Sequence, residues 1–321
     1  MGNLARAHDL IDAVSRTGAN AIKFQTYKPE TMTLDLPHFR VSEDHELWGR
    51  KKLYDLYKEA QMPWDWHPEL FEHARKVGLI PFSTPFDLTA VDFLEDLNCP
   101  IYKVASLESG DLGLIERIGQ TGKPCILSTG ATEFEEIVDA VTCYLKTGNT
   151  ELTLLVCTSS YPAIALDANI NRMKTLKEYF GLKVGISDHT LGIGVSLAAI
   201  ALGANVVEKH FTLDRSEGGL DSQFSLVENE FRYLVNEGKN AFQSLGESKW
   251  QVIPSEKESR LLRRSLYVVK DVEAGQEVSL ENVKPIRPGQ GAKPKEMKNF
   301  IGKRFSKFVK AGTPMSSQLL E

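Results

Sequence analysis

Seven short apolar runs recur along the chain: "AIKFQTY", "LIPFSTPF", "IYKVASLE", "CILSTG", "LTLLVCTSSYP", "KVGISDHT" and "NVVEKHF". Each is separated from the next by a segment with apolar residues at helical spacing, such as "FDLTAVDFLEDL", "DLGLIERIGQT" and "GIGVSLAAIALG". Strands that are apolar on both faces and alternate with helices predict a parallel sheet covered by helices, the grammar of a (β/α)8 TIM barrel. The count stops at seven, and the helical pattern "LARAHDLIDAVSRTG" has no strand before it. Closing such a barrel takes eight strands, so the expectation is a barrel that lacks its first strand.

The barrel pattern ends near Gly246. The charged stretch 247–264 reads as a linker, and from Ser265 short β-like pieces with Lys, Gly and Pro punctuation predict a small β-rich domain over 265–321. That domain is small enough to depend on the barrel or on a second subunit. Charge divides at the same place. Residues 263–321 carry 12 Lys/Arg against 6 Asp/Glu, whereas residues 1–262 carry 26 against 37. The basic tail lacks aromatics interleaved for base stacking, which argues against nucleic acid and for an anionic small molecule or an acidic partner subunit. No basic-then-apolar leader is present, and the longest apolar run is too short for a membrane span. With four widely spaced cysteines and no CxxC pair, the chain reads as a reduced, cytoplasmic protein whose cysteines are core residues.

In parallel barrels the chemistry gathers at the C-terminal ends of the strands, where residues i and i+2 share a face. Here Lys23 and Gln25, Ser187 and His189, and Glu208 and His210 form such pairs, with Thr84, Lys103, Ser128 and Tyr161 at equivalent strand ends. A lysine inside an apolar strand is expensive unless it is paired or binds an anion. Lys23 and Lys103, with Thr84, Ser106 and Ser128 nearby, therefore read as a phosphate and carboxylate cradle. His189 and His210 on adjacent strands suit an exchangeable divalent ion better than structural zinc. Parity turns Asp188 away from them, which removes a Ser-Asp-His triad. Trp64 and Trp66 read as anchors of a segment, Lys28 to Trp66, placed to cover the barrel mouth.

The motifs "IKFQTY", "FSTPFD", "YKVASLE", "ILSTG", "CTSSYP", "GISDHT", "ALGANVVEKHF" and "IRPGQG" run in order over nearly the whole chain. Together they resemble the sialic acid (nonulosonate) synthase family, enzymes that condense phosphoenolpyruvate with an N-acetylated six-carbon sugar and end in an antifreeze-like domain. The segment "LYDLYKEAQMPWDWHPELFEHA" looks like the pseudaminic acid branch rather than the N-acetylneuraminate or legionaminate branches.

The resemblance implies that Lys23, Thr84, Lys103, Ser106, Ser128 and Ser187 hold the phosphate and carboxylate of phosphoenolpyruvate. It implies that His189 and His210 hold a divalent metal (Mn²⁺, Mg²⁺ or Co²⁺), and that Gln25, Tyr161, Glu208 and Asp221 surround the acceptor sugar. Arg287 would reach the sugar bound in the other protomer of a homodimer, whose C-terminal domain caps the neighbouring barrel. The expected catalytic set is Glu208, Lys103 and Tyr161, with Glu208 moving a proton near the sugar aldehyde. The expected acceptor is 2,4-diacetamido-2,4,6-trideoxy-L-altrose. Ser159, a further phosphoenolpyruvate contact, stands where relatives often carry Asn. The family opens on a strand of the type "AEIGxNHNG" that supplies a Glu, and this sequence begins where that motif ends, so the expectation is either a truncated version or a variant with a gap in its barrel. Two rival readings stand beside this one: a Schiff-base aldolase using Lys103, and a catalytically silent binding or assembly protein.

Overall fold

The computed structural model describes residues 3–42 and 49–321. The chain divides into two compact units, 1–246 and 247–321. In the first, α1 (Leu4–Thr17) precedes β1 (Ala21–Thr26), the one-turn α2 (Pro29–Met32), α3 (Leu53–Ala60) and α4 (His67–Lys76). Strands and helices then alternate: β2 (Ile80–Pro85), α5 (Leu88–Asp96), β3 (Tyr102–Val104), α6 (Leu112–Gln120), β4 (Cys125–Ser128) and α7 (Phe134–Lys146). They are followed by β5 (Leu152–Cys157), α8 (Arg172–Phe180), β6 (Lys183–Asp188), α9 (Gly194–Ala201), β7 (Val206–Lys209) and α10 (Glu228–Ser244).

All seven runs expected to be strands are strands, and they pair in parallel in chain order from β1 to β7. Among the described residues no further strand pairs with the outer edges of β1 and β7. Local signals in the sequence explain where the helices start: Asp87 accepts from the Thr89 and Ala90 amides at the start of α5, and Asp111 caps α6 through the Leu114 amide. Such caps supply acceptors for amides that the first helical turn leaves unpaired, each contributing about 1 kcal/mol.

Register assigns the two faces of the sheet. Gln25 is beside Thr84, Ser83 beside Tyr102, Lys103 beside Ile126, Ser128 beside Leu155, and Cys157 beside Ser187, which in turn is beside Glu208. Residues in register point the same way. One face therefore carries Tyr102, Val104, Leu127, Leu154, Val156, Val184 and Ile186, which pack with Leu94, Ile118, Val141 and Leu176 from the surrounding helices into the main core. Each such aliphatic side chain contributes ~1.5–3 kcal/mol on burial. The other face carries Lys23, Gln25, Thr84, Lys103, Ser128, Cys157, Ser187 and Glu208. The sheet curls about this face far enough for Lys23 Nζ of β1 to reach Glu208 Oε1 of β7 at 2.8 Å. At Gly185, which shares this inner face with Leu155 and Val206, an added Cβ would collide with the Val206 carbonyl oxygen, so β6 and β7 depend on a residue without a side chain here.

In the second unit, α11 (Lys257–Leu261) leads into an antiparallel pair, β8 (Ser265–Val268) and β9 (Val283–Ile286), followed by α12 (Met297–Phe300). Its own core comprises Leu266, Val268, Val272, Val278, Val283, Phe300, Phe305, Val309 and Met315. Among the described residues of the chain no helix is long and apolar enough to cross a membrane, and all four cysteines are free.

One buried polar network lies under the first strand. His67 is fully buried; its Nδ1–H donates to the Pro63 carbonyl at 3.2 Å, and its Nε2 accepts from Thr26 Oγ1 at 2.8 Å, which lies 2.7 Å from Ser83 Oγ. Burial pushes the imidazole down from its ordinary 6.5 to about 4. The folded chain thus binds this proton less readily than the unfolded chain. The resulting stability is fully present above pH 6.5 and is lost as pH falls toward 4, by ~3 kcal/mol in all. Urea unfolding at a series of pH values should show that loss, and His67→Gln should flatten the slope in this window; an unchanged slope would contradict the assignment.

Candidate active site

The concave face gathers most of the residues singled out in the sequence. Lys103, at the centre of β3, is 1% exposed, and its Nζ donates to the Val104 carbonyl at 2.7 Å. Burial pulls its ammonium down to about 8; the Glu208 carboxylate works the other way, and Lys23 adds to the lowering. On the strand before, Thr84 Oγ1 is buried without a hydrogen-bond partner, and so is Ser128 Oγ on the strand after. Ser159, two residues past the end of β5, also has a buried, unpartnered hydroxyl. Ser106, on the turn after β3, accepts from the Gly130 amide at 3.0 Å. A Cβ at Gly130 would run into Ser159 Oγ and lie 2.9 Å from Ser106 Oγ. The absent side chain keeps those hydroxyls and the Gly130 backbone around one small space.

Across the face, Glu208 Oε1 accepts from Lys23 at 2.8 Å and from Ser187 Oγ at 3.0 Å. Burial works to raise this carboxyl, but Lys23 and Lys103 outweigh it and hold Glu208 well below the usual carboxylate range. It is an ionised acceptor at neutral pH. Glu108 is its opposite. Its Oε2 is buried without a partner, and burial pushes its carboxyl up against the pull of Lys103. The two carboxyls thus sit in environments that drive their pKa values apart, Glu208 down beside the lysines and Glu108 up by burial.

His189 and His210 follow directly on β6 and β7, with ring centroids 5.2 Å apart. The His189 Nδ1 lies 2.9 Å from the Thr158 carbonyl, which can only accept, so this nitrogen carries the proton and Nε2 keeps a lone pair. The His210 Nδ1 is 3.4 Å from Asp221 Oδ2, which favours the same tautomer. Engaging one ring nitrogen with an oxygen so that the other is free is how ligating histidines are commonly set. The donor set fits a divalent ion held by two imidazoles with its other positions open, although among the described residues no cluster of three or more His, Cys, Asp or Glu is placed for a metal. Tyr161 lies over His189, with 4.4 Å between centroids, and Phe224 sits within 5.0 Å of His210 and 5.3 Å of Tyr161.

Gln25 shares the inner face but is exposed at the sheet edge. Arg287 belongs to the second unit, where it follows β9 and is exposed. Trp64 is an anchor: its Nε1–H donates to the Tyr27 carbonyl at 3.1 Å and its ring stacks on Phe93 at 4.6 Å. Residues 43–48 of the Lys28–Trp66 segment lie outside the described residues. Sequence reasoning missed Glu108 and Phe224, both on turns where strand parity gives no signal. It also read Cys157 only as core, whereas its Sγ lies 3.9 Å from His189 Nδ1. Period-2 parity applied to β5 would have placed Cys157 on the inner face.

Comparison with known proteins decides the family. The NeuB family model matches residues 10–250, and the SAF domain model matches residues 263–321. The chain belongs to the NeuB family. A pseudaminic acid synthase of Helicobacter pylori is 42% identical over 320 residues, covering 99% of this chain and 94% of that one. A pseudaminic acid synthase of Campylobacter jejuni is 39% identical over 311 residues, 97% of this chain and 91% of that one. Among solved structures, an N-acetylneuraminic acid (sialic acid) synthetase from Leptospira borgpetersenii superposes with a TM-score of 0.71 at 34% identity, covering 80% of this chain and 85% of that one. The family expected from the ordered motifs is the one found, and its antifreeze-like SAF domain occupies the C-terminal stretch.

In Glu208→Gln, Lys23 Nζ keeps its mostly buried position and loses its anion. That change should lower stability by ~2 kcal/mol, and Lys23→Met added to it should recover most of the loss. Urea unfolding of the four members of this cycle measures the coupling; additive effects would show that the pair holds nothing.

Proposed function

We propose that this NeuB-family enzyme is a pseudaminic acid synthase, condensing phosphoenolpyruvate with 2,4-diacetamido-2,4,6-trideoxy-L-altrose to give pseudaminic acid and phosphate. The observation that carries the reading is the set of three buried, unpartnered hydroxyls of Thr84, Ser128 and Ser159 on the face that holds Lys103. Buried hydroxyls without partners are unfavourable unless a ligand supplies them, and a phosphate offers acceptors in several directions. Lys103, with Lys23 and Ser187 beside Glu208 and with Ser106 at Gly130, would complete the cradle for phosphate and carboxylate. The names of the two pseudaminic acid synthases support the choice of acceptor.

In the proposed reaction C3 of phosphoenolpyruvate attacks the open-chain sugar aldehyde. Water adds at C2, and phosphate leaves with cleavage of its C–O bond. A divalent ion (Mn²⁺, Mg²⁺ or Co²⁺) on His189 and His210 would supply polarisation of the aldehyde. The rest falls to the chain itself. Holding two substrates in line is the larger part of the task. Glu208, ionised and bonded to Lys23 and Ser187, is the candidate for steering a proton to the aldehyde oxygen, which needs one as the C–C bond forms. Tyr161 and Phe224 form an aromatic wall beside the histidines, with Asp221 and Gln25 toward the acceptor.

The proposed setting is the cytoplasm, and the proposed organisation is a homodimer in which Arg287 reaches the neighbouring barrel. The opposite charges of the tail and the body favour that contact.

The test is incubation with phosphoenolpyruvate, Mn²⁺ and the altrose acceptor, following phosphate release and nonulosonate formation. Product should form, and faster than with N-acetylmannosamine; no product would overturn the reading, and trapping of pyruvate by borohydride without need of metal would favour the Schiff-base alternative. The KM for phosphoenolpyruvate should rise as pH climbs through about 8, where Lys103 loses its proton, and that rise should vanish in Lys103→Arg. Gly130→Ala, which fills the cradle, should raise the same KM by about tenfold or more, equivalent to ~1.4 kcal/mol, while leaving affinity for Mn²⁺ unchanged.

A further inference from the structure

Behind the two histidines, on the opposite face of the sheet, lies an ion pair that the proposed chemistry does not use. Asp188 and Lys209 are the last registered pair of β6 and β7, and each immediately precedes one of the histidines. Lys209 Nζ is 3.0 Å from Asp188 Oδ2, and both side chains are fully buried. The carboxylate is saturated: Asp188 Oδ1 accepts from the Thr190 amide at 2.8 Å and the Thr190 hydroxyl at 2.7 Å, while Oδ2 also accepts from Ser196 Oγ at 2.6 Å. The ammonium does something less usual. It donates to the carbonyls of Asp188, at 3.4 Å, and Thr190, at 2.6 Å, which flank His189 in the chain. The backbone that carries His189 is therefore held on both sides by a side chain of the neighbouring strand, one residue before His210.

A buried ion pair is weak evidence for stability, because desolvation offsets most of the attraction. Its best-attested use is to fix a register or a geometry. An apolar pair of similar size could hold β6 to β7, but it could not bond both carbonyls around His189. We propose that Asp188 and Lys209 are positioning residues, which set the spacing of the His189 and His210 imidazoles and so the affinity of the pair for a divalent cation. The inference rests on the reading that these two imidazoles hold the ion.

The experiment uses the full chain and Mn²⁺ itself. Binding is followed by loss of the free-ion electron paramagnetic resonance signal, together with the melting temperature and the KM for phosphoenolpyruvate. The double variant Asp188→Asn/Lys209→Met removes both charges without leaving one unpaired, so it should fold with a melting temperature near that of the parent. Its Mn²⁺ dissociation constant should rise about tenfold or more, the scale on which groups behind metal ligands act, while the KM for phosphoenolpyruvate moves less than about twofold at saturating Mn²⁺. Ser196→Ala, which keeps both charges and removes one bond to Asp188, should raise the dissociation constant by a smaller factor, about threefold. It decides the matter should the double variant not fold. Parent-like Mn²⁺ affinity in the folded double variant, or in Ser196→Ala if only that folds, overturns the proposal while leaving the metal reading in place. A parent chain that binds no Mn²⁺ removes both.

Discussion

The ion pair between Lys23 and Glu208 ties together the two ends of the sheet. These residues are 185 positions apart and lie on the first and last strands, yet their charged atoms meet at 2.8 Å on the inner face. Seven parallel strands, each twisted against the last, curl on their own. The pair marks how far that curl has gone, and it gives the concave face a charge of its own. The Glu208 carboxylate faces Lys23 and Lys103 there. Lys23 takes the carboxylate directly, so Lys103 is left with a neutral carbonyl and a desolvation penalty that lowers its proton affinity. An anion arriving beside Lys103 relieves both the unbalanced charge and the empty valences of the surrounding hydroxyls. The anion binding proposed for the site would draw on this imbalance more than on any single contact.

The strands were legible because a parallel strand buried on two sides leaves a continuous apolar run, which few other elements of this length produce. Parity within those runs was legible for the same reason. It put Lys103 inward and Asp188 outward, and the register agrees at every step from β1 to β7. What could not be read were pairings between distant residues. Nothing local says that Lys23 meets Glu208 or that Lys209 reaches over the backbone of His189. Glu108 and Phe224 were missed for a different reason. Both sit on short 3₁₀ turns after strands, where side-chain direction depends on the turn and not on an alternation that can be counted. The roles attached to particular residues came from the ordered motifs; geometry alone would have delivered a polar, anion-seeking bowl without naming its guest.

The two faces of the sheet also divide two kinds of polar group. On the outer face, Asp188, Lys209, Thr190 and Ser196 satisfy one another completely, and under β1 the Thr26, Ser83 and His67 network does the same. On the inner face the hydroxyls of Thr84, Ser128 and Ser159 do not. Satisfied networks hold shape, and unsatisfied groups hold potential for binding. The same protein places the first kind within one residue of the second, which lets a rigid wall carry a responsive surface.

Those inner hydroxyls have a further property. A hydroxyl is both donor and acceptor, and its hydrogen can swing between directions within a fixed oxygen position. A cradle built from backbone N–H or guanidinium groups can only donate, so it offers no acceptor to an oxygen that acquires a proton. Rotating hydroxyls can follow such an oxygen from bare anion to protonated form without moving a single heavy atom. The hydroxyls of Thr84, Ser128 and Ser159 could thereby keep hold of a guest oxygen whose ionisation changes while it is bound.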